Sequence, residues 1–310
     1  MKRFTNILVG VNLSAADRLV CDELGDPTEE ALQRALWLAR LNSARVRFLY
    51  SLEVCAQTEI LIEENHDTRP SLVEQAKAVL EKLVARAKGE GVAADSQVAI
   101  GKSWVQIIRQ VLRGKHDLVV VGSRDSGSVK SFLVGGTGIK LLRKCPCPVW
   151  VTQPQDDRKI ASILVAHDLH PVGDLALELG CAMAQLHDAQ LHVLHAEESP
   201  ELESFLPEIV SADRAAEHHA KAKEHIASQL SDFPLGKPAQ VHFAKQPPDV
   251  AIMDHIQRHR AELLVMGTVA RAGLPGLITG NTAERLLPQI PCSVLAVKPE
   301  GFTSPVTLDE

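Results

Sequence analysis

Short apolar runs rich in β-branched residues recur along the chain, each closed by a polar or glycine-containing segment. In the first half they are Asn6–Val11, Arg45–Tyr50, Gln97–Ile100, Leu118–Val121 and Val149–Thr152. In the second half they are Ile163–Ala166, Leu191–Leu194, Gln240–Phe243, Leu263–Met266 and Val294–Val297. Runs of this length without alternation read as strands buried on both faces of a parallel sheet. Between them the period changes. Leu72, Ala76, Val79, Leu83 and Ala87 fall three or four residues apart, as do Val105, Ile108 and Leu112. That spacing makes the apolar stripe of an amphipathic helix. Further helices are predicted over Ile139–Lys144 and Ala283–Leu287. Strands alternating with helices predict α/β architecture, a doubly wound parallel sheet covered on both faces.

The pattern occurs twice, at an offset of about 145 residues. Ala31-Leu32 recurs as Ala176-Leu177, Val105 and Ile107 as Val250 and Ile252, and Gly122 as Gly267. Gly135, Thr137 and Leu141-Leu142 recur as Gly280, Thr282 and Leu286-Leu287, and Pro146-Cys147 as Pro291-Cys292. Only the start departs, where the first copy carries extra residues near Cys21–Pro27. Two long copies make tandem domains; a solenoid needs three or more short repeats. The expected boundaries are 1–153 and 158–299, with a polar linker over Gln153–Asp157 and a loose tail over 300–310.

Composition narrows the class. Among 310 residues, 45% are apolar and 23% charged, as in ordinary soluble globular protein. The net charge of −6 argues against nucleic acid or an anionic membrane held by bulk electrostatics. Six cysteines are too few for a disulfide scaffold and point to a reducing, cytoplasmic setting. The apolar run after Met1-Lys2-Arg3-Phe4 ends at Asn12, too soon for a signal peptide, and no stretch approaches the ~20 apolar residues of a membrane helix.

Ligands of open parallel sheets bind beyond the carboxyl ends of the strands, at the point where strand order reverses. There the loop after the fourth strand is rich in small residues in both copies. The first runs from Gly122-Ser123 to Gly135-Gly136-Thr137-Gly138, the second from Gly267-Thr268 to Gly280-Asn281-Thr282. A helix follows each. Glycines let backbone N–H groups approach an anion, and a helix N-terminus favours negative charge. Neither loop has the Gly-Lys-Ser/Thr of a Walker loop, and no glycine triplet follows the first strand. The plain alternative is a turn that only packs.

These residues resemble the universal stress protein family in its tandem two-domain form. The likeness covers about residues 4–299 and rests on Ile163-Leu-Val-Ala-His-Asp168, Leu194-His195-Ala196, the glycine loop and Cys147-Pro148-Val149. It implies an adenine nucleotide alpha hydrolase-like, Rossmann-like fold of five parallel strands per copy, the copies pairing through their last strands as a pseudo-dimer. It also implies ATP, with adenine near the ends of the first two strands, phosphates on the glycine loop and magnesium only with the nucleotide.

The departures from the family loop, Gly-x2-Gly-x9-Gly-Ser/Thr, rank the copies. Its second glycine is Asp125 and Ala270, its Ser/Thr is Gly136 and Asn281, and the aspartate ending the first strand is Asn12 in the first copy. A carboxylate ~4 Å from a phosphate costs about 4 kcal/mol at an effective dielectric of 20, whereas alanine in a left-handed conformation costs about 1–2 kcal/mol. Arg124 and Lys130 offset Asp125 in part. The second copy is therefore favoured, through Asp168, Ala196, Gly267, Thr268, Gly280, Asn281 and Thr282. The first copy offers Asn12, Gly122, Ser123, Gly135, Gly136 and Thr137. The apolar segments Leu274–Ile278 and Phe205–Val210 leave open a lipid-like or drug-sized ligand in the second domain.

Other candidates are weaker. Of thirteen histidines only His66 and His116 lie in the first copy. His255 and His259 share a helix face, and His218, His219 and His225 ride another; such faces read as solvated, and no metal site is assigned. His167, His170 and His195 belong at the strand ends beside Asp168, where they could bind a metal, titrate near neutral pH or contact phosphate; the plainer expectation is solvent-facing loop histidines and a packed His195. Cys145-Pro-Cys147 is one residue short of the redox spacing, and the recurrence at Cys292 fits a small buried residue. Asp117 and Glu262 fall at the amino end of the sheet and read as structural. Three tryptophans form no stacking platform.

The resulting expectation is a stress-response regulator that binds ATP or a relative weakly. The alternatives are a scaffold for protein partners, a binder of an apolar small molecule, and a slow ATPase. The last ranks lowest, because no catalytic residue or obvious base stands out. No nucleic acid or membrane partner is expected, and self-association beyond the two domains is left open.

Overall fold

The computed structural model describes residues 3–14, 20–53, 71–124, 134–155, 159–196, 212–268 and 281–308, the side chains of 212–215 and 281 excepted. The chain forms two compact units. One comprises Met1–Gln155 with Phe302–Glu310, and the other Asp156–Gly301.

The first unit contains β1 (Asn6–Val11), α1 (Asp26–Asn42), β2 (Arg45–Leu52), α2 (Leu72–Gly89), β3 (Ala94–Ile100), α3 (Ser103–Gly114), β4 (Leu118–Gly122), α4 (Gly136–Lys144) and β5 (Val149–Thr152). Its strands are ordered β3-β2-β1-β4-β5 and all pair in parallel. The chain winds outward from β1 through β2 to β3, then returns to β4 on the other side of β1. The strand order therefore reverses between β1 and β4. Ile7, Val46, Leu118 and Val119 are fully buried or nearly so, as the apolar runs require, and Trp150 and Phe48 fill the faces of the sheet.

The second unit repeats the plan with β6 (Ser162–Ala166), α5 (Pro171–His187), β7 (Gln190–Ala196), α6 (Ala212–Ser231), β8 (Gln240–Ala244), α7 (Pro248–His259), β9 (Leu263–Gly267), α8 (Asn281–Leu286) and β10 (Ser293–Val297). Its order is β10-β9-β6-β7-β8, again all parallel, with the reversal between β6 and β9. Every strand expected from the apolar runs is present, and the architecture is the expected pair of doubly wound sheets. No described helix is long and apolar enough to cross a membrane.

Local chemistry sets the helix limits. Proline occupies the first turn of α1, α5 and α7, where its missing N–H has no partner to lose. Ser71 and Glu74 form a reciprocal capping box at the start of α2. At the amino end of each sheet a carboxylate ties the first strand to the fourth. Asp117 accepts from Thr5 N–H at 2.7 Å, Thr5 Oγ1–H at 2.8 Å and Asn6 N–H at 3.0 Å. Glu262 accepts from Ala161 N–H at 2.5 Å. Both are structural and far from the strand ends where a ligand would sit. The segment after Gly301 groups with the first unit, where Arg109 Nε donates to the Thr307 carbonyl at 3.2 Å.

Candidate functional site

In the first unit the strand reversal opens a cleft of about 900 Å³. That lies toward the upper end of the ~300–1,000 Å³ typical of small-molecule sites. It brings together all six residues expected from the first copy: Asn12, Gly122, Ser123, Gly135, Gly136 and Thr137. The floor is made by the ends of β1 and β2, where Asn12 Oδ1 accepts the Ser14 N–H at 3.1 Å. Burial raises the Tyr50 phenol above its usual value, against a hydrogen bond to Ser14, so it is neutral at neutral pH.

The far wall is the start of α4. Gly135 is its N-cap and offers no side chain, and no acidic residue occupies the first turn. The leading N–H groups of α4 thus meet the cleft without a side-chain cap from the described residues, the arrangement that favours an anion. Arg124, Lys102 and Lys140 also line the cleft. Lys140 and Lys144 hold their ammonium groups 5.6 and 4.7 Å from the ring centre of Trp104. Glu53 is the opposing charge, but its Oε1 accepts the Ser103 N–H at 2.6 Å and so caps α3. Ser123 Oγ is buried and has no hydrogen-bond partner among the described residues.

The glycines of this loop do different work. A Cβ on Gly122 would fall well inside van der Waals contact of the Pro27 carbonyl, so this glycine is required by the close approach of α1 to β4. A Cβ on Gly136 would meet no atom of the described residues within 4 Å. Its smallness serves no packing need.

The second unit places the favoured residues differently. Asp168 Oδ1 accepts the His170 N–H at 3.1 Å, the same two-residue turn that Asn12 makes in the first unit. A Cβ on Gly267 would lie 2.9 Å from Val172 Cγ2, the position equivalent to Pro27. Thr268 is buried, and its hydroxyl accepts from the buried Lys298 ammonium. Ala196 ends β7 and Thr282 lies in the first turn of α8. Gly280 and the side chain of Asn281 lie outside the described residues, as do Asp125, Lys130, Ala270, Leu274–Ile278 and Phe205–Val210.

Of the histidines beside Asp168, the buried ring is His167 rather than His195, which is half-buried like His170. His195 Nδ1 lies 2.9 Å from the His167 carbonyl. His167 Nδ1 accepts the Leu169 N–H at 3.0 Å, which leaves the ring proton on Nε2, 3.2 Å from Asp174 Oδ1. Burial lowers the His167 pKa despite that carboxylate. Asp174 also binds the exposed His225 at 2.7 Å.

The helix face carrying His255 and His259, expected to be solvated, is turned toward the sheet. His255 is 7% exposed and packs near His242. The residue spacing along α7 contained this signal, but the partners on β7 and β8 follow only from strand register.

Cys145, Cys147, Cys181 and Cys292 are small buried residues, whereas Cys21 is partly exposed. Cys145 Sγ and Cys147 Sγ lie 3.6 Å apart, and this neighbour and burial push the Cys147 thiol far up. Burial pushes Cys292 up to about 12. Neither is a thiolate at neutral pH.

Two doubly wound α/β units in tandem, the first with an open switch-point cleft, define the class of protein. The chain belongs to the universal stress protein family, whose profile matches residues 4–153 and again 159–298. It is 24% identical to Universal stress protein E of Photorhabdus laumondii, over 99% of this chain and 98% of that one. It is 25% identical to the protein of the same name from Escherichia coli K12, over 92% and 95%. Among solved structures, a protein of unknown function from Pseudomonas aeruginosa PAO1 superimposes with a TM-score of 0.68 at 24% identity, covering 96% of this chain and 93% of that one. A universal stress protein from Archaeoglobus fulgidus gives 0.64 at 19% identity, covering 94% and 98%.

Proposed function

We propose that this tandem universal stress protein is a stress-response regulator whose first unit binds a phosphorylated ligand of the adenine-nucleotide class. The observation that carries the reading is the uncapped start of α4, opening onto a cleft of about 900 Å³ with three cationic side chains on its walls. The N–H groups of Gly136, Thr137 and Gly138 would hold phosphate oxygens, with Arg124 and Lys140 supplying opposite charge. Tyr50 and Asn12 at the strand ends leave a half-polar floor for the nucleoside. Magnesium would enter only as the counterion of a bound polyphosphate. The sequence ranks the second copy first. The described residues favour the first, because Thr268 is already bonded to Lys298 while Ser123 has no such partner among them.

The test is calorimetry on the full chain with ATP and magnesium. Binding is expected, and Gly136→Leu abolishes it, since Gly136 lines the cleft and a side chain there meets no described atom and would occupy the cleft. Binding that survives Gly136→Leu but is lost in Gly280→Leu moves the ligand to the second unit. No binding to either unit leaves the scaffold for protein partners. A phosphate-release assay on the same samples separates binding from slow hydrolysis.

A further inference from the structure

At the amino end of the second sheet, opposite the strand ends where ligands of this fold sit, four imidazoles meet. His192 stands on β7 and His242 on β8. In the parallel register His192 pairs with Gln240 and Leu194 with His242, so the two histidines are diagonal neighbours on one face. Helix α7 covers that face and turns His255 and His259, one helical turn apart, onto them. The ring centres of His192 and His259 are 4.2 Å apart, those of His242 and His259 4.8 Å, and those of His242 and His255 5.1 Å.

We propose that His192, His242 and His259 form a binding site for a borderline transition-metal ion, Zn²⁺ in the first instance, with His255 lining its wall. One nitrogen from each of the three lies within 4.8 Å of the other two. Zn–N bonds of ~2.0–2.1 Å place ligand nitrogens roughly 3.3–3.4 Å apart in a tetrahedron. His192 Nδ1 and His242 Nε2 are 3.1 Å apart, sharing one ring proton in a hydrogen bond that the ion would displace. Closing the site needs a shift of about an ångström or so by His259, which ends α7 and is only half-buried. His192 is 4% exposed and held by the sheet on both sides, so the site has a rigid part and an adjustable part.

The donor set selects the ion. Neutral imidazoles without a carboxylate suit Zn²⁺, Cu²⁺ or Ni²⁺ and reject Mg²⁺ and Ca²⁺, which demand oxygen. Asp254 is bound to Arg258 at 2.6 Å and stands 4.0 Å from His255 Nδ1. His255 Nδ1 donates to the Ala251 carbonyl at 2.9 Å, which fixes its tautomer and leaves Nε2 with a free lone pair. With three protein ligands, the fourth position is open to water or to His255. The other such cluster among the described residues, His167, Asp174 and His225, fits less well. The Leu169 N–H holds the His167 proton on Nε2, the nitrogen that would have to bind.

The experiment titrates Zn²⁺ into the chelator-treated full chain by calorimetry, with Co²⁺ absorption reporting coordination geometry. One equivalent is expected to bind with a tetrahedral Co²⁺ spectrum. His259→Gln, a half-exposed position, weakens binding by at least about 10–100-fold while the far-ultraviolet circular dichroism is unchanged. His242→Gln does the same, and His225→Gln has no effect. Absence of binding overturns the proposal. So does Zn²⁺ affinity unchanged in His259→Gln, or lost only in His225→Gln or in a His218→Gln/His219→Gln variant. An octahedral Co²⁺ spectrum overturns it as well.

Discussion

At the scale of single residues, the glycines of the loop after β4 separate into two kinds that look alike in sequence. Gly122 lies under the backbone of Pro27, and a Cβ there has no flexible neighbour to displace. Gly122→Ala is expected to cost about 1–3 kcal/mol, as overpacking does. Gly136→Ala meets open space, leaves stability within about 0.5 kcal/mol, and acts only on ligand binding. Gly267→Ala falls between them, because its neighbour is the Val172 side chain at 2.9 Å rather than backbone. Urea denaturation of the three variants checks this order. Equal losses at Gly122 and Gly136 would remove the distinction between packing and binding glycines. The recurrence of a glycine at 122 and 267 therefore meets a helix-on-strand approach in both units.

At the scale of elements, the duplication extends to backbone conformations that no residue type announces. Helices α1 and α5 both end in a left-handed residue, Ser43 and Asp188, and α3 and α7 do the same at Lys115 and Arg260. Glycine is the usual residue there, since a Cβ costs about 1–2 kcal/mol. Lys115→Gly and Arg260→Gly are each expected to stabilise the protein by up to about 1 kcal/mol, read as a rise in melting temperature. Ser71→Ala goes the other way. It removes the hydroxyl that accepts the Glu74 N–H at 3.2 Å and should cost about 1 kcal/mol. The strands and the order of elements were legible from apolar runs because a strand buried on both faces has no choice of composition. Asp117 and Glu262 were legible too, since their place just before a strand puts them at the amino end. Sequence does not show that Lys298 reaches Thr268, or that Pro27 crosses Gly122, because both contacts join segments far apart in the chain. Residue type alone made Asp168 look like a ligand group, whereas its carboxylate also serves its own turn.

At the scale of the whole molecule, the uneven placement of histidine makes the two units respond differently to acid. In the first unit burial lowers the pKa of His116. In the second, burial foremost lowers His167, His242 and His259, and takes His192 down to about 4. The neighbouring imidazoles and Arg258 add to this in the cluster, while Asp174 opposes it at His167 and Asp254 at His259. In an unfolded chain these rings take up protons near pH 6.5. The folded rings resist until lower pH, so between those values the unfolded state binds more protons and gains on the folded state. Above about pH 7 the rings are neutral in both states and contribute no pH dependence. The histidine contribution to stability thus falls as pH drops below about 6.5 and flattens near pH 4, where His192 titrates in the fold. The second unit carries most of these rings, so it is expected to lose protection first. Hydrogen exchange read by mass spectrometry on chelator-treated protein at pH 7 and pH 5, corrected for intrinsic rates, measures this. Peptides from β7, β8 and α7 should lose more protection than those from β2, β3 and α3. Equal losses in the two sets, or greater loss in the first, would show that the histidine core does not govern acid stability.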